Sequence, residues 1–241
     1  MDSSPGHYSM EAIILAGGLG TRLRGVIGES PKCMAPVAGK PFIQYLFRYL
    51  EREGCTRCVL SLGYKSEVVL NWLQSNTPSF EVTWVIEEEP LGTGGGILLA
   101  LQATQSRQVF VLNGDTLFDV SLQDMAAFHS RNGTIASLAL KPLHNFDRYG
   151  VVETNETGLI TAFREKHPCS AGSINGGVYC LDRKTLLSQP FPQKFSFEKE
   201  FLEPQVVLGN LSGYTSEGYF IDIGIPEDYD RAQTEVPALI R

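Results

Sequence analysis

Residues 12–25 read AIILAGGLGTRLRG, and they join an apolar run to a glycine-rich loop that carries two arginines. An apolar strand that breaks into glycines lets its backbone come close to a phosphate group. Arg22 lies two residues beyond Gly20, and its planar, permanently charged guanidinium suits the outer phosphates of a nucleoside triphosphate. We therefore expect a nucleotide to contact the loop residues Leu15, Ala16, Gly17, Gly18, Gly20, Thr21 and Arg22.

Two common phosphate-binding patterns do not fit this loop. The dinucleotide fingerprint G-x-G-x-x-G uses its third glycine for close helix packing, whereas Leu23 stands at that position. The fingerprint also expects an acid about 20 residues later, and no aspartate occurs between Asp2 and Asp115. In the Walker A pattern a lysine follows the last glycine, but Val26 follows Gly25 here. The loop is typical of neither a dehydrogenase nor a P-loop enzyme.

Further polar residues follow apolar runs elsewhere in the chain. Asn113 and Asp115 end the run QVFVLNGD, and Asp222 lies in FIDIGIPEDY. Ligands of open α/β sheets gather at the carboxyl ends of strands, although Asp115 taken alone also suits a helix or loop cap. None of the four histidines lies in a Ser–His–Asp setting. The pattern favours binding and charge stabilisation over nucleophilic catalysis.

The elements that must position these residues alternate between strands and helices in the first half of the chain. Ser66 and Ser121 suit helix N-caps, Pro41 suits a first turn, and Gly54 and Gly133 suit helix ends. The apolar patterns predict strands at 11–18, 58–63, 81–88 and 108–115, and helices at 40–54, 65–76, 92–105 and 121–133.

Alternation at this spacing predicts parallel strand pairing with right-handed crossovers. The residues after 134 are rich in strands and turns, and ETNETG at 153–158 indicates a hairpin. We expect an α/β fold: a doubly wound, mostly parallel nucleotide-binding sheet flanked by helices, with a β-rich substrate lobe in the second half. A single domain over 1–241 is expected, with a nucleotide-binding core at about 11–133 and the substrate part at about 134–235.

Composition narrows the class of protein. The chain has 241 residues and a net charge of −7, which argues against general nucleic-acid binding. Its five cysteines argue against a disulfide framework, and the CTRC segment at 55–58 is more typical of a strand entrance than of a zinc site. No apolar run is long enough to span a membrane. We expect a cytoplasmic protein without a membrane partner, and composition leaves a homo-oligomer open.

The segments LAGGLGTRLR and PKCMAPVAGKP together resemble the signature of the sugar-1-phosphate nucleotidyltransferases, and the resemblance runs from about Glu11 to Tyr229. Within this family the motifs are most similar to guanylyltransferases that act on D-glycero-D-manno-heptose 1-phosphate, and next to those that act on mannose 1-phosphate. The resemblance implies transfer of a nucleotidyl group, from GTP in the closest group, to a sugar 1-phosphate with release of pyrophosphate. The product would be an NDP-sugar for surface polysaccharide.

The resemblance also implies roles for residues on the nucleotide side. Lys32 matches a lysine that contacts phosphate near the reacting centre, although Cys33 stands where the family usually has proline. A thiol beside cationic groups is expected to have a lowered pKa. Asp115 and Asp222 match the pair that holds the catalytic Mg²⁺. Gly92 and Thr93 lie in PLGTGG, the stretch used for base recognition, where glycines let a planar base lie against the backbone. Glu88, in the acidic run before it, either accepts from guanine amino groups or is solvated.

The resemblance implies that the β-rich lobe of the second half, at about 134–235, is the sugar-binding lobe and holds the sugar phosphate. The segments RYGVVE, FREK and INGGVY in this lobe match further family motifs. By resemblance, Gly150 approaches a sugar hydroxyl with its backbone, Glu165 binds hydroxyls, Lys166 binds the sugar's phosphate, and Asn175 contacts the ring. Arg22, Lys32, Asp115 and Lys166 are the residues to which we assign catalytic roles.

Three alternatives remain open at this point. A glycosyltransferase of similar topology would also use carboxylates and a metal, but it would release no pyrophosphate. A noncatalytic sensor of nucleotide sugars would tolerate the loss of a metal carboxylate. A uridylyltransferase or a mannose-specific relative differs only in the shape of its base and sugar pockets.

Overall fold

The computed structural model of the chain describes residues 9–18, 28 and 30–240. The predicted nucleotide ligands Gly20, Thr21 and Arg22 lie outside the described residues. The strands are β1 (Met10–Leu15), β2 (Pro36–Val37), β3 (Lys40–Pro41), β4 (Cys55–Leu62), β5 (Glu81–Ile86), β6 (Gln108–Asn113), β7 (Thr116–Phe118), β8 (Ala136–Phe146), β9 (Val151–Thr154), β10 (Ile160–Arg164), β11 (Cys169–Asp182), β12 (Leu211–Thr215) and β13 (Phe220–Asp222). The helices are α1 (Phe42–Arg52), α2 (Ser66–Leu73), α3 (Gly92–Gln102), α4 (Leu122–Asn132), α5 (Arg183–Leu187), α6 (Glu203–Val207) and α7 (Pro226–Leu239), with a short 3₁₀ helix (Lys32–Met34) and a π-helical turn (Phe197–Leu202).

A large central sheet organises the described residues in the order β10-β9-β11-β6-β1-β4-β5, with β8 beside β11 and β12 beside β8. Strand β1 pairs in parallel with both β4 and β6, and β4 pairs in parallel with β5. Three crossovers join these four strands, because a helix lies between β1 and β4, between β4 and β5, and between β5 and β6. The predicted mostly parallel α/β architecture is confirmed.

The second half of the chain does not form a separate sheet. Strand β11 pairs antiparallel with β6 through Val178–Asp182 and with β8 along its other edge. Strands β9 and β10 form the predicted hairpin across 153–158, and β9 joins β11 at Ile174. The nucleotide-side and sugar-side segments are therefore parts of one continuous hydrogen-bonded sheet.

Apolar side chains cover both faces of this sheet. One face packs against α1, α4 and α7 and includes Phe42, Leu60 and Phe118. The other face packs against α3 and the π-helical turn and includes Ile97 and Phe201. The alternation of side chains along buried parallel strands explains why each strand contributes to both cores.

The predicted helix caps are confirmed for one helix and wrong for another. Ser121 Oγ accepts from Asp124 N at 3.2 Å, and Gly133 is a left-handed C-cap, so both predictions for α4 are confirmed. The N-cap predicted at Ser66 is wrong, because Ser66 is already helical and Lys65 occupies the cap position with φ 52°. None of the helices in the part of the chain that the structure describes is long and apolar enough to cross a membrane.

Candidate active site

Two aspartates that are far apart in the sequence meet at the carboxyl end of the sheet. Asp115 follows β6, and the chain continues directly into β7. Strand β7 pairs antiparallel with β13, which sets Thr116 opposite Asp222. Ile223 N also donates to Asp115 O at 3.0 Å. The short β7–β13 ladder therefore places the two carboxylates side by side, as the sequence predicts.

Lys32 joins this acid pair from the 3₁₀ helix. Its Nζ donates to Asp115 Oδ2 at 2.8 Å, with both side chains partly accessible to solvent. Gly224 N donates to Asp222 Oδ1 at 2.8 Å. A Cβ placed on Gly224 would lie 2.8 Å from Asp222 Oδ1 and 3.4 Å from Lys32 Nζ. One ammonium and two carboxylates thus surround a point where the backbone carries no side chain.

The surroundings of Asp222 disfavour its ionised form. Burial, and then the nearby Asp115 charge, raise the pKa of Asp222 above its ordinary value, although Gly224 N–H and Lys32 oppose the shift. A cation between the two carboxylates would relieve both causes. The described residues contain no group of three or more His, Cys, Asp or Glu side chains that could hold a metal ion by themselves. Two carboxylates that leave the remaining positions to phosphate oxygens and water are a donor set that suits Mg²⁺.

Cys33 does not have the properties expected from its neighbours. Its side chain is buried, and burial together with the Asp115 charge raises the pKa of its thiol to about 12. The expectation of a lowered thiol pKa is wrong, because the side chain is buried beside the Asp115 charge, and both effects disfavour the thiolate. Cys33 therefore acts as a small core residue on the buried side of the 3₁₀ helix.

The nucleotide side begins where β1 ends. Leu15 pairs with Asn113 across the parallel ladder, and Ala16 N donates to Ser61 O at 2.8 Å. Gly17 and Gly18 then leave the sheet and become accessible to solvent. This arrangement brings the described part of the glycine loop and the Asn113–Asp115 turn to the same end of the sheet.

The acid that faces this loop is Glu87 rather than Glu88. Glu87 Oε2 accepts from Leu91 N at 2.9 Å, and a Cβ on Gly17 would lie 2.8 Å from Glu87 Oε1. Glu88 is exposed. Glu87 N donates to Leu62 O and so continues the β5 ladder, which turns its side chain to the same face as Val85. The alternation of side chains between the two faces of β5 is the sequence signal that distinguishes Glu87 from Glu88.

The glycine-rich start of α3 is shaped mainly by protein contacts. Cβ atoms on Gly94 and Gly96 would lie 2.2 Å from the Phe195 ring and 2.8 Å from Glu87 Oε1. These buried glycines make room for protein atoms and not for a base. Gly92 and Thr93 remain exposed, and Thr93 Oγ1 accepts from Phe197 N at 2.9 Å.

A cleft of about 630 Å³ runs from the acid pair to the second-half strands. Asn113 and Asp222 line it together with all of the predicted sugar-side residues, Gly150, Glu165, Lys166 and Asn175. Glu165 and Lys166 are exposed at the end of β10. Asn175 is fixed, because its Oδ1 accepts from Gly177 N at 3.1 Å and its Nδ2 donates to Tyr179 Oη at 2.9 Å.

Several cleft residues carry no signal that the sequence alone reveals. Arg148 donates to Asp228 Oδ2 at 2.5 Å, and Tyr149 packs edge-on against Phe220. Burial and the Asp222 charge raise the pKa of Tyr149 to about 12, so its hydroxyl stays protonated. Glu198 and Lys199 of the π-helical turn line the opposite wall.

A larger concavity of about 1340 Å³ lies at the other edge of the sheet, where β1 and β6 begin. Charged side chains that line it form ion pairs and a helix cap within the protein. Arg107 pairs with Asp182 at 3.1 Å, and Asp182 caps α5 through Thr185 N. Burial lowers the pKa of His129, which bonds Ser137 at 2.8 Å. The cleft with the acid pair is therefore the better candidate for chemistry.

Comparison with known protein families supports the same conclusion. The family model described as Nucleotidyl transferase matches residues 11–238. The chain belongs to the nucleotidyl transferase family. The matched range includes the glycine loop and every residue that lines the cleft.

Relatives within the nucleotidyl transferase family are similar over nearly the full chain. The D-glycero-alpha-D-manno-heptose 1-phosphate guanylyltransferase of Aneurinibacillus thermoaerophilus is 46% identical over 94% of this chain and 98% of its own length. The enzyme of the same name from Campylobacter jejuni is 41% identical over 91% and 97%. The crystal structure of HddC from Yersinia pseudotuberculosis complexed with GMP-PN has a TM-score of 0.84 at 37% identity, over 93% of this chain and 98% of that chain.

Proposed function

We propose that this protein transfers guanylyl groups from GTP to D-glycero-α-D-manno-heptose 1-phosphate and releases pyrophosphate. The observation that carries the proposal is the single cleft in which Asp222 and Asn113 line one end and Lys166, Glu165 and Asn175 line the other. The names of the relatives that match over nearly the full chain support the base and the sugar. The product, a GDP-heptose, would serve surface polysaccharide synthesis.

The chemistry requires that two polyanions approach each other. The attacking oxygen belongs to a phosphate monoester whose second pKa is about 6, so it is already anionic near neutral pH and needs no general base. We propose that Lys166 holds the sugar's phosphate for in-line attack on the α-phosphorus. We propose that Lys32, which donates to Asp115, neutralises charge on the α-phosphate. Arg22, outside the described residues, is proposed to hold the departing pyrophosphate.

Asp115 and Asp222 are the proposed Mg²⁺ ligands. The raised pKa of Asp222 and the shared approach of the two carboxylates fit a divalent cation. When bound, the ion supplies charge neutralisation for the transferred phosphoryl group. The residues of the chain orient the groups around it: Lys32 directs Asp115, and Gly224 N–H directs Asp222.

The two parts of the domain are proposed to divide the substrates between them. Residues of about 11–133 would bind the nucleotide, with Glu87 added as an acid that faces the glycine loop. The proposed nucleotide contacts are Leu15, Ala16, Gly17, Gly18, Gly20, Thr21, Arg22, Gly92, Thr93, Asn113 and Asp115. Residues of about 134–235 would bind the sugar phosphate. We also propose a cytoplasmic location, where GTP is available and the five free cysteines stay reduced.

A pyrophosphate-release screen tests the proposal. ATP, GTP, CTP, UTP and dTTP are each combined with heptose, mannose and glucose 1-phosphates in the presence of Mg²⁺. We expect release with GTP and the heptose substrate, and release that is at least about 100-fold slower in Asp115→Asn, because a preorganised charge contact is lost. Release with mannose 1-phosphate in preference would assign the alternative activity. Absence of release with every pair would refute the transferase function.

A further inference from the structure

The wall of the cleft that faces away from the acid pair is formed by an unusual turn. Residues Phe197–Leu202 form a π-helical turn, a conformation that is rare and often occurs at functional sites. Ser196 Oγ caps the turn by accepting from Lys199 N at 3.3 Å, and Glu200 Oε2 accepts from Ser196 N at 2.6 Å. Glu198 and Lys199 are exposed and line the cleft.

This turn is fixed to the nucleotide side of the molecule. Phe197 N donates to Thr93 Oγ1 at 2.9 Å, and Gly94 N donates to Phe195 O at 3.1 Å. The Phe197 ring stacks on Phe201 with centroids 4.8 Å apart. Because hydrogen bonds fix its backbone and ring stacking fixes its aromatic side chains, the turn is a rigid element that carries Glu198 and Lys199.

The acid pair and the π-helical turn lie against opposite faces of the central sheet. Phe118 and Ile223, beside the acids, belong to one core, whereas Phe197 and Phe201 belong to the other. The cleft passes between them over Gly176, where a Cβ would lie 2.3 Å from the Phe118 ring. Glu198 and Lys199 therefore line the same cleft as Lys166 and Asn175, the residues proposed to hold the phosphate and the ring of the sugar substrate.

Contacts connect the π-helical turn to a residue that we assign to the sugar ring. Tyr179 Oη accepts from Asn175 Nδ2 at 2.9 Å, and the Tyr179 ring packs edge-on against Phe197, the first residue of the turn. Asn175, Tyr179 and Glu198 all line the cleft. Burial and the Glu198 charge raise the pKa of Tyr179, so its hydroxyl stays protonated beside these residues.

We propose that Glu198 and Lys199 bind the exocyclic hydroxyl groups of the sugar 1-phosphate and so select a sugar with a two-carbon side chain over one with a single exocyclic carbon. This assignment rests on the proposed heptose substrate. A carboxylate accepts hydrogen bonds from adjacent hydroxyls, and an ammonium donates to them. A site built to bond a hydroxyl discriminates against an analogue that lacks it, because the protein groups are left unpaired.

The test compares two substrates that differ by one exocyclic carbon, D-glycero-α-D-manno-heptose 1-phosphate and α-D-mannose 1-phosphate. The kcat/KM of each is measured at saturating GTP for the wild type, Glu198→Gln and Lys199→Met. We expect each variant to lower the heptose-to-mannose ratio of kcat/KM by about tenfold or more, mainly through the KM for the heptose substrate. The KM for GTP serves as the readout of the nucleotide side.

Glu200→Gln is the matched control. It makes the same charge change on the same turn, but its carboxylate bonds Ser196 N and does not line the cleft. We expect its substrate ratio to equal that of the wild type within about twofold. A wild type that discriminates between the sugars while Glu198→Gln keeps the same ratio would overturn this inference and leave the proposed function intact. A wild type that is inactive with both sugars would overturn the function itself.

Discussion

Replacing Asp222 by asparagine is expected to make the protein more stable and nearly inactive. The substitution keeps an oxygen that accepts from Gly224 N–H at 2.8 Å, and Lys32 keeps its 2.8 Å bond to Asp115. The local charge of Lys32, Asp115 and Asp222 changes from −1 to zero. The folded state then no longer holds a buried carboxylate against its like-charged neighbour.

The size of the effect follows from ordinary stability relations. Relief of a single unfavourable site contributes about 0.5–2 kcal/mol. For a domain of this length each kcal/mol moves Tm by about 2–4 °C, so a rise of about 1–8 °C is expected. The kcat should fall by about two orders of magnitude, because a preorganised charge contact with the transition state is lost.

The gain in stability from Asp222→Asn is expected to depend on pH. The folded pKa of Asp222 is raised above its unfolded value. This group's contribution to stability is therefore most unfavourable at neutral pH and improves as the pH falls through the folded pKa. Asparagine carries no charge at any pH, so the difference in Tm between variant and wild type should be largest near pH 7–8 and shrink toward acid pH.

Thermal unfolding in EDTA, followed by fluorescence, measures the effect. Asp228→Asn is the opposing control, because Asp228 accepts from Arg148 at 2.5 Å and from Arg231 at 2.8 Å. Both arginines are about half exposed, so after allowance for solvent screening its loss should cost about 1–3 kcal/mol and lower Tm. An Asp222→Asn protein that melts below the wild type in EDTA at pH 7.5 would refute the reasoning.

Three further substitutions test separate parts of the structure. Lys166→Ala should raise the KM for the sugar phosphate more than the KM for GTP, because it removes a cation from the sugar-side end of the cleft; steady-state kinetics that show equal increases would contradict the assignment. Gly176→Ala should lower Tm and kcat together, because its Cβ would lie 2.3 Å from Phe118 beneath the acid pair; unchanged melting would show that this ring moves freely. Ser121→Ala should cost about 1 kcal/mol, or about 2–4 °C in Tm, with unchanged kcat, since it removes only the cap bond to Asp124 N.

The sequence predicts the elements best where local chemistry decides the conformation. The cap of α4 at Ser121 and the left-handed glycine at its end follow from side-chain and backbone preferences alone. The N-cap of α2 fails for the opposite reason. Lys65 adopts φ 52° in a position that propensity assigns to other residues, so the turn there depends on contacts that a local pattern does not contain.

The candidate site is predicted as a set of residues but not as an electrostatic arrangement. The meeting of Asp115 with Asp222 follows from motifs, whereas the direction of the Lys32 ammonium depends on tertiary geometry. Burial and the Asp115 charge raise the pKa of the Cys33 thiol, and both depend on the folded arrangement as well. Glu198 lies in a segment with no recognisable pattern and becomes a candidate only when the fold brings it to the cleft.

The pairing of β7 with β13 determines when the acid pair can form during synthesis of the chain. Asp222 reaches Asp115 only through that ladder, and α7 then fastens to the β2–β3 hairpin through Tyr229 Oη to Pro36 O at 2.5 Å and Ala38 N to Gln233 Oε1 at 2.9 Å. During synthesis the glycine loop, Lys32 and Asp115 emerge from the ribosome long before their second carboxylate. A nascent chain therefore lacks the complete acid pair until β13 has emerged and paired with β7.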